Sequence, residues 1–355
     1  MIMDKLNAFR AFFDELGIDG FLVTNPYSRR YLTGFTGSAG TALISRDDAV
    51  FITDFRYTEQ AAEQVAGFRI EKQSGLMQDA VAEQVSAMGI KKIGFEQDTL
   101  PYADYDRYQK AAKAEWVPVS GVIEKLRMVK EDDELETIRR AAKIADEAFS
   151  HILTFIKPGM TELEVSNELE FFMRRLGASE SSFDTIVASG KRSALPHGVA
   201  TDKKIENGDM VTLDFGALYD GYVSDITRTV AVGEPPEELK KIYHIVLEAQ
   251  KRACSALKPG MTGKEADAVA RDYISEHGYG EAFGHSTGHG IGLEVHEGPG
   301  LSFRSDTKLQ PGMVVTVEPG IYVPGLGGVR IEDDVLITED GCELLTSSPK
   351  ELIIL

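Results

Sequence analysis

The sequence predicts a mixed α/β (α+β) protein of two domains. A small N-terminal α/β domain occupies residues 1–125. A larger C-terminal domain, residues 126–355, is built by internal duplication with a pseudo-twofold relation between its halves. Three observations carry this. Short apolar runs alternate with helical stripes through the first third of the chain. A long amphipathic stripe then begins at an acidic cluster, Glu131 to Glu134. Finally, FIKPGMTELEV (155–165) is echoed by ALKPGMTGKEA (256–266). A length of 355 residues is more than one core ordinarily serves.

The elements follow in order. Leu6, Phe9, Phe13 and Leu16 recur at helical spacing and predict one amphipathic helix over residues 6–16. GFLVT (20–24) reads as a strand stopped by the turn pair Asn25-Pro26. TALIS (41–45) and AVFIT (49–53) flank Arg46-Asp47-Asp48 as a hairpin would. YTEQAAEQV (57–65) is helical and KKIGFE (91–96) is a strand. Beyond residue 121 the texture changes: Leu135, Ile138, Ala142, Ala145 and Phe149 form a helical stripe. The acids Glu131, Asp132, Asp133 and Glu134 precede it, where the positive end of a helix dipole favours them.

Composition narrows the function. A formal net charge of −19 repels phosphate backbones and argues against nucleic-acid binding. It suits cations and small or peptide substrates. The two cysteines, Cys254 and Cys342, form no CxxC pair, so neither a thiolate metal site nor a disulfide framework is expected. Asp4, Lys5 and Arg10 interrupt any apolar core of a signal peptide. No apolar run is long enough to span a membrane. The expectation is a soluble cytoplasmic protein with neither membrane nor nucleic acid as partner.

The repeat continues: KIENGDMVTLDFG (204–216) matches KLQPGMVVTVEPG (308–320). Each copy reads as a helix followed by a strand opened at a glycine turn. One supersecondary unit has been duplicated, and the two halves bury their apolar faces and leave a cleft. Asp214 corresponds to Glu318, each at the end of an apolar strand. YDGYVSDITRTVAV (219–232) faces GLGGVRIEDDVLI (325–337), which sets Asp225 against Glu332. A lone buried carboxylate is costly unless paired or metal-bound. The turn YDGY predicts a hairpin that brings Asp214 and Asp225 side by side. As scattered surface acids these four would be ordinary; in matched positions on apolar strands they are not. Four converging carboxylates repel one another, and two divalent metals with one histidine resolve that. Oxygen-rich ligation suits Mn²⁺ better than Zn²⁺.

FGHSTGHGIGLEVHEGPG (283–300) holds His285, His289 and His296, three of the seven histidines. The spacing of His285 and His289 suits a zinc-binding helix, but the interleaved glycines do not. They predict a strand-and-turn segment close to metals and substrate.

At these residues the chain resembles the metallopeptidase superfamily with the pita-bread fold, which includes methionine aminopeptidase, aminopeptidase P, prolidase and the metal-free creatinase. LDFGALYDGYVSDITRT, GHSTGHGIGLEVHEGP, VVTVEPGIY and GVRIEDDVLI match its metal blocks in order and spacing. NPYSRRYLTGFTGS (25–38) is similar to the N-terminal domain of the creatinase, prolidase and aminopeptidase P branch. LPHG (195–198), EVHEGP (294–299) and GVRIED (328–333) are similar to signatures of its proline-selective members. The resemblance covers essentially the whole chain. It implies a creatinase-like N-terminal domain on a pita-bread catalytic domain.

The resemblance also implies five metal ligands. Asp214, Asp225 and Glu332 would hold one divalent ion; Asp214, His289, Glu318 and Glu332 would hold the other. Mn²⁺ is expected, with Co²⁺ and Zn²⁺ as alternatives. The implied activity is an Xaa-Pro aminopeptidase acting at the N-terminus of peptides, with a metal-bridging hydroxide as nucleophile. The alternative is an Xaa-Pro dipeptidase, or prolidase, restricted to dipeptides. A non-catalytic peptide-binding relative is disfavoured by the complete ligand set. Glu318 would pass the nucleophile's proton to the leaving prolyl nitrogen. His197 and His296 would orient the substrate and stabilise the tetrahedral intermediate, and His285 would line the proline pocket. Arg330 would contact the group after proline or pair with an active-site carboxylate, and Tyr222 would pack beside the site. His151, His244 and His277 receive no role. A homodimer is implied.

Overall fold

The computed structural model describes residues 2–355, and the chain divides into two compact units, Met1–Arg127 and Met128–Leu355. Where one helix over residues 6–16 is expected, there are two: α1 (Ile2–Arg10) and α2 (Phe13–Leu16). Ring packing sets the break. Phe13 meets Phe9 edge-on at 5.5 Å, and Phe9 meets Phe21 at 5.0 Å. Periodicity does not register such geometry.

The first unit alternates β1 (Gly20–Val23), α3 (Pro26–Thr33), β2 (Thr41–Ser45), β3 (Ala49–Thr53), α4 (Thr58–Gln64), β4 (Arg69–Lys72), α5 (Met77–Ala87), β5 (Lys92–Glu96), α6 (Tyr102–Ala111), β6 (Glu115–Val119) and α7 (Val122–Met128). Its strands form one mixed sheet in the order β4-β3-β2-β1-β5-β6. The expected β2–β3 hairpin is present, with Ala42 opposite Phe51 and Ile44 opposite Ala49. Asn25 does more than stop β1. Its Oδ1 accepts from the Tyr27 and Ser28 N–H groups at 2.8 and 3.1 Å, capping α3 with Pro26 in its first turn. Leu22, Leu43, Val50, Ile52, Val81 and Ile93 are buried with Trp116 as this unit's core.

The second unit runs α8 (Asp132–Phe155), α9 (Glu162–Arg175), β7 (Glu180–Ser181), β8 (Ile186–Ser189), β9 (Asp209–Phe215), β10 (Ala217–Tyr219), β11 (Tyr222–Val223), β12 (Ile226–Val232) and α10 (Glu237–Ala256). It continues with α11 (Gly263–Glu276), β13 (Gly288–Gly290), β14 (Glu297–Leu301), β15 (Val314–Val317), β16 (Gly320–Val323), β17 (Gly327–Arg330), β18 (Asp333–Ile337) and β19 (Cys342–Leu344).

The duplication is visible at hydrogen-bond resolution. Thr161 caps α9 and Thr262 caps α11. Each threonine Oγ1 accepts from the N–H of a glutamate three residues on, Glu164 or Glu265, at 3.1 and 3.2 Å. Each glutamate accepts in return from the threonine N–H at 2.7 Å. Thr161 bridges to Lys204 and Thr262 to Lys308, tying each helix start to the approach to β9 or β15. Gly208 and Gly312 take positive φ, 93° and 87°, in the turns that open those strands.

The halves present two small sheets, β12-β9-β8 and β14-β13-β15-β18-β19. Phe149, Val165 and Leu169 from α8 and α9 pack on Val211 and Leu213 of the first. Tyr243, Val246 and Ala270 from α10 and α11 pack on Val315 and Val335 of the second. Each fully buried aliphatic side chain contributes about 1.5–3 kcal/mol, so these faces hold the strands in fixed register beneath the site. No helix among the described residues is long and apolar enough to cross a membrane.

Candidate metal centre and active site

The first two carboxylates come from the hairpin of the first half. Its turn is Asp220-Gly221, with φ of 41° and 74°, between the paired residues Tyr219 and Tyr222. That two-residue turn fixes the register back to β9, where the residue opposite Asp214 is Thr227. The expectation that Asp214 and Asp225 stand directly side by side is therefore corrected. Asp225 lies two positions before Thr227, on the same face, and meets Asp214 along a diagonal.

The second half supplies the rest. His289 sits in β13, a strand and not a helix. Its N–H donates to Thr316 Oγ1 at 3.1 Å, and Thr316 Oγ1 donates to Glu318 Oε1 at 3.2 Å. One threonine thus ties the His289 backbone to the Glu318 carboxylate. A Cβ at Gly288 would lie 1.9 Å from the Thr316 carbonyl oxygen, so glycine permits this approach of β13 to β15. Glu332 is held from the other half: its N–H donates to the Thr227 carbonyl at 3.1 Å and its Oε2 accepts from Thr227 Oγ1 at 2.6 Å. Arg330 closes the set. It donates to Asp214 Oδ2 at 2.5 Å, to the Tyr322 hydroxyl at 2.8 Å and to Thr227 Oγ1 at 3.1 Å.

Nine of the residues singled out in the sequence, all but Tyr222, line one cavity of about 440 Å³: Asp214, Asp225, His289, Glu318, Glu332, His197, His296, His285 and Arg330. His289 Nε2 is 3.3 Å from Glu318 Oε1 and 3.7 Å from Asp225 Oδ2. Ligand atoms of Asp225, His289 and Glu332 all lie within 4.8 Å of one another. The His296 ring lies 4.3 Å from that of His289. His285 contacts the Tyr322 hydroxyl through Nε2 and the Ser286 carbonyl through Nδ1, both at 2.8 Å.

Burial dominates the electrostatics. It pushes Asp225 well above the ordinary carboxylate range, with Glu332 and Asp214 adding repulsion. It does the same to Glu332, reinforced by Glu318 and Asp214. Burial also raises Asp214, against the opposing pull of Arg330. At Glu318 burial is outweighed by the His289 hydrogen bond and charge, and the carboxyl falls below its usual value. Burial lowers His285 and His296. A cluster that resists ionisation this strongly is one that cations would relieve.

The donor chemistry fits divalent metal. Oδ1 of Asp214 and Oδ1 of Asp225 are buried without a hydrogen-bond partner. An orphaned buried carboxylate oxygen is costly, and a cation satisfies it. A second close group, Glu131, Asp133 and Glu134, lies at the start of α8, where Glu134 accepts from the Glu131 N–H at 2.9 Å. It serves as the helix start that the sequence suggested.

Sequence reasoning missed Thr227, Thr316, Tyr322 and Asp334. Two had a signal: Thr227 follows Asp225 by two, and Thr316 precedes Glu318 by two, so each shares a face with a carboxylate. Asp334 lies directly behind the site and its Oδ2 accepts the Asp225 N–H at 3.0 Å. Tyr322 had none, because its contact with Arg330 arises from the β16–β17 pairing, in which Tyr322 faces Gly328. Tyr222, expected beside the site, instead donates to Glu134 Oε1 at 2.6 Å. Of the two roles open to Arg330, pairing with an active-site carboxylate is the one formed.

Comparison with known proteins agrees with this geometry. The model of Metallopeptidase family M24 matches residues 136–339, and that of the Creatinase/Prolidase N-terminal domain matches residues 5–129. An Xaa-Pro dipeptidase from Pyrococcus horikoshii is 44% identical over 353 residues, 99% of each chain. The solved structure of an Xaa-Pro dipeptidase from Bacillus anthracis superposes with a TM-score of 0.99 at 64% identity, covering 100% of both chains. An X-Pro aminopeptidase from Thermotoga maritima superposes with a TM-score of 0.91 at 46% identity, over 96% of this chain and 99% of its own. The chain belongs to metallopeptidase family M24, in its pita-bread branch with a creatinase/prolidase-type N-terminal domain.

Proposed function

We propose that the protein is an Xaa-Pro dipeptidase dependent on two divalent metal ions, with Mn²⁺ as the preferred metal and a homodimer as the working form. The observation that supports it most is the convergence of four carboxylates, three of them buried, and four histidines on one cavity. Likeness to two dipeptidases over whole chains favours this reading above the aminopeptidase expected from the sequence. Asp214, Asp225 and Glu332 would hold one ion; Asp214, His289, Glu318 and Glu332 the other. When bound, such ions neutralise the carboxylates and activate water at neutral pH.

The chain's own groups do the rest. Glu318, oriented by Thr316, accepts the proton of the attacking water and delivers it to the prolyl nitrogen. That nitrogen is tertiary in the substrate, so it leaves only as it gains a proton. His197 and His296, which line the cavity, donate to the oxygen on which charge develops. Arg330 fixes Asp214 through Oδ2 and leaves Oδ1 toward the metal site. Tyr322 braces Arg330 and His285 together.

The test compares Leu-Pro with Leu-Pro-Gly-Gly using metal-depleted protein reloaded with Mn²⁺, Co²⁺ or Zn²⁺. Cleavage of the dipeptide alone, fastest with Mn²⁺, is the expected result. Equal cleavage of both would favour the aminopeptidase reading, which the likeness to the Thermotoga maritima enzyme supports. Failure to cleave either would overturn both. Light scattering giving twice the chain mass is expected for the dimer.

A further inference from the structure

One carboxylate on the cavity wall takes no part in the machinery described above. Asp184 lines the same cavity, yet it is exposed and lies outside the buried acidic cluster. Among the described residues it has neither an ion pair nor a hydrogen bond to its side chain. It lies just before β8. Ile186 opens β8 and stands opposite Asp214. Thr185 between them is buried, while Asp184 and Ile186 both line the cavity.

The surroundings of Asp184 are apolar. Phe183, Ile186, Val199 and Val295 line the same cavity, with Val199 exposed and Phe183 and Val295 half-buried. The other acids of the cavity are the four of the candidate metal centre, whose charge two divalent ions would balance. The Arg330 guanidinium is already engaged by Asp214. Asp184 is therefore the one carboxylate of the wall with no partner and no metal to hold. An apolar wall ending in a carboxylate, with a phenyl ring beside it, matches a long cationic side chain: methylenes on the wall, head group at the acid and ring face.

We infer that Asp184 is a specificity-determining residue that favours substrates whose first residue is lysine or arginine. The inference rests on the Xaa-Pro reading, because it assigns the wall to the first residue of such a substrate. An ion pair at an exposed carboxylate is worth little, so the effect is a bias and not an absolute gate.

The experiment measures kcat/KM for Lys-Pro, Arg-Pro, Leu-Pro and Glu-Pro with the metal-loaded full chain, its Asp184→Asn variant and its Asp184→Lys variant. In D184N the Lys-Pro to Leu-Pro ratio should fall about three- to fivefold. In D184K the Glu-Pro to Lys-Pro ratio should rise. In the native protein, added salt should raise KM for Lys-Pro more than for Leu-Pro. Unchanged ratios in both variants overturn the inference. So does an equal loss on all four substrates, which would assign Asp184 to a feature they share, such as the free amino group. If the native protein cleaves none of them, the Xaa-Pro reading itself fails, and that result is separate from either outcome. Metal content, measured alongside, should match the native protein in both variants.

Discussion

Arg330 grips one oxygen of Asp214 and leaves the other bare: Nη2 to Oδ2 is 2.5 Å, while Oδ1 is buried without a partner. The same guanidinium also serves Tyr322 and Thr227, which a lysine ammonium on a flexible stem cannot reproduce. Arg330→Lys should lower kcat/KM about a hundredfold, or roughly 3 kcal/mol of transition-state stabilisation. Metal content should stay near that of the native protein, since every ligand remains. Steady-state kinetics with metal analysis check this; undiminished activity would remove Arg330 from the site.

Asp225→Asn should split stability from activity. In metal-free protein it removes one member of a mutually repelling buried set, so the thermal midpoint should rise. With metal the order reverses. The native protein gains about 2.7 kcal/mol at a hundredfold excess over Kd, and the variant gains less. Melts with and without chelator, beside an activity assay, test the crossing.

Metal binding should release protons. Burial raises Asp225 and Glu332 well above the ordinary range, so part of the set is protonated before metal arrives. Ligation requires the ionised forms. Titration calorimetry at pH 6 in two buffers of different ionisation enthalpy should give different apparent heats. Equal heats would mean that the carboxylates were already ionised.

Thr316→Val should retain the fold and lose about tenfold or more in metal affinity or turnover. The hydroxyl accepts from the His289 N–H and donates to Glu318, and valine keeps the shape without either bond. Thr316→Ser should recover most of the loss. If valine and serine behave alike, the hydroxyl is not what orients the pair.

The first unit has its own pH response. Burial pushes Glu96 up to about 7, although its Oε2 accepts from the Thr24 and Asn25 N–H groups. In the folded chain the proton is thus kept toward neutrality, while unfolded Glu96 releases it near 4.5. The corresponding stability is complete below about pH 4.5 and is lost as pH rises toward 7, on the order of 3 kcal/mol. Trp116 is the only tryptophan and packs 5.9 Å from Phe95 in this unit. Denaturant unfolding followed by its fluorescence should show the decline, and Glu96→Gln should flatten it.

Much of the architecture was legible because it is written in local chemistry. The Thr-x-x-Glu boxes at Thr161 and Thr262 announce two helix starts whatever surrounds them. The apolar strands ending near Asp214 and Glu318 announce their own burial. The break between Phe9 and Phe13 was not legible, because it depends on a ring from β1. The diagonal of Asp214 and Asp225 was within reach, had the two-residue turn been counted back to Thr227. The Arg330–Tyr322 contact was not, since it is fixed by a separate hairpin.

The split of the acidic set between two copies of one unit also orders events in time. Asp214 and Asp225 are in place once β9 and β12 pair, but Glu332 reaches Thr227 from the link between β17 and β18, more than a hundred residues later. A chain still being synthesised therefore carries two of the four carboxylates of the cavity and lacks the other two. The full carboxylate set exists only when the second copy has paired with the first. A chain truncated before Glu318 should therefore show no peptidase activity.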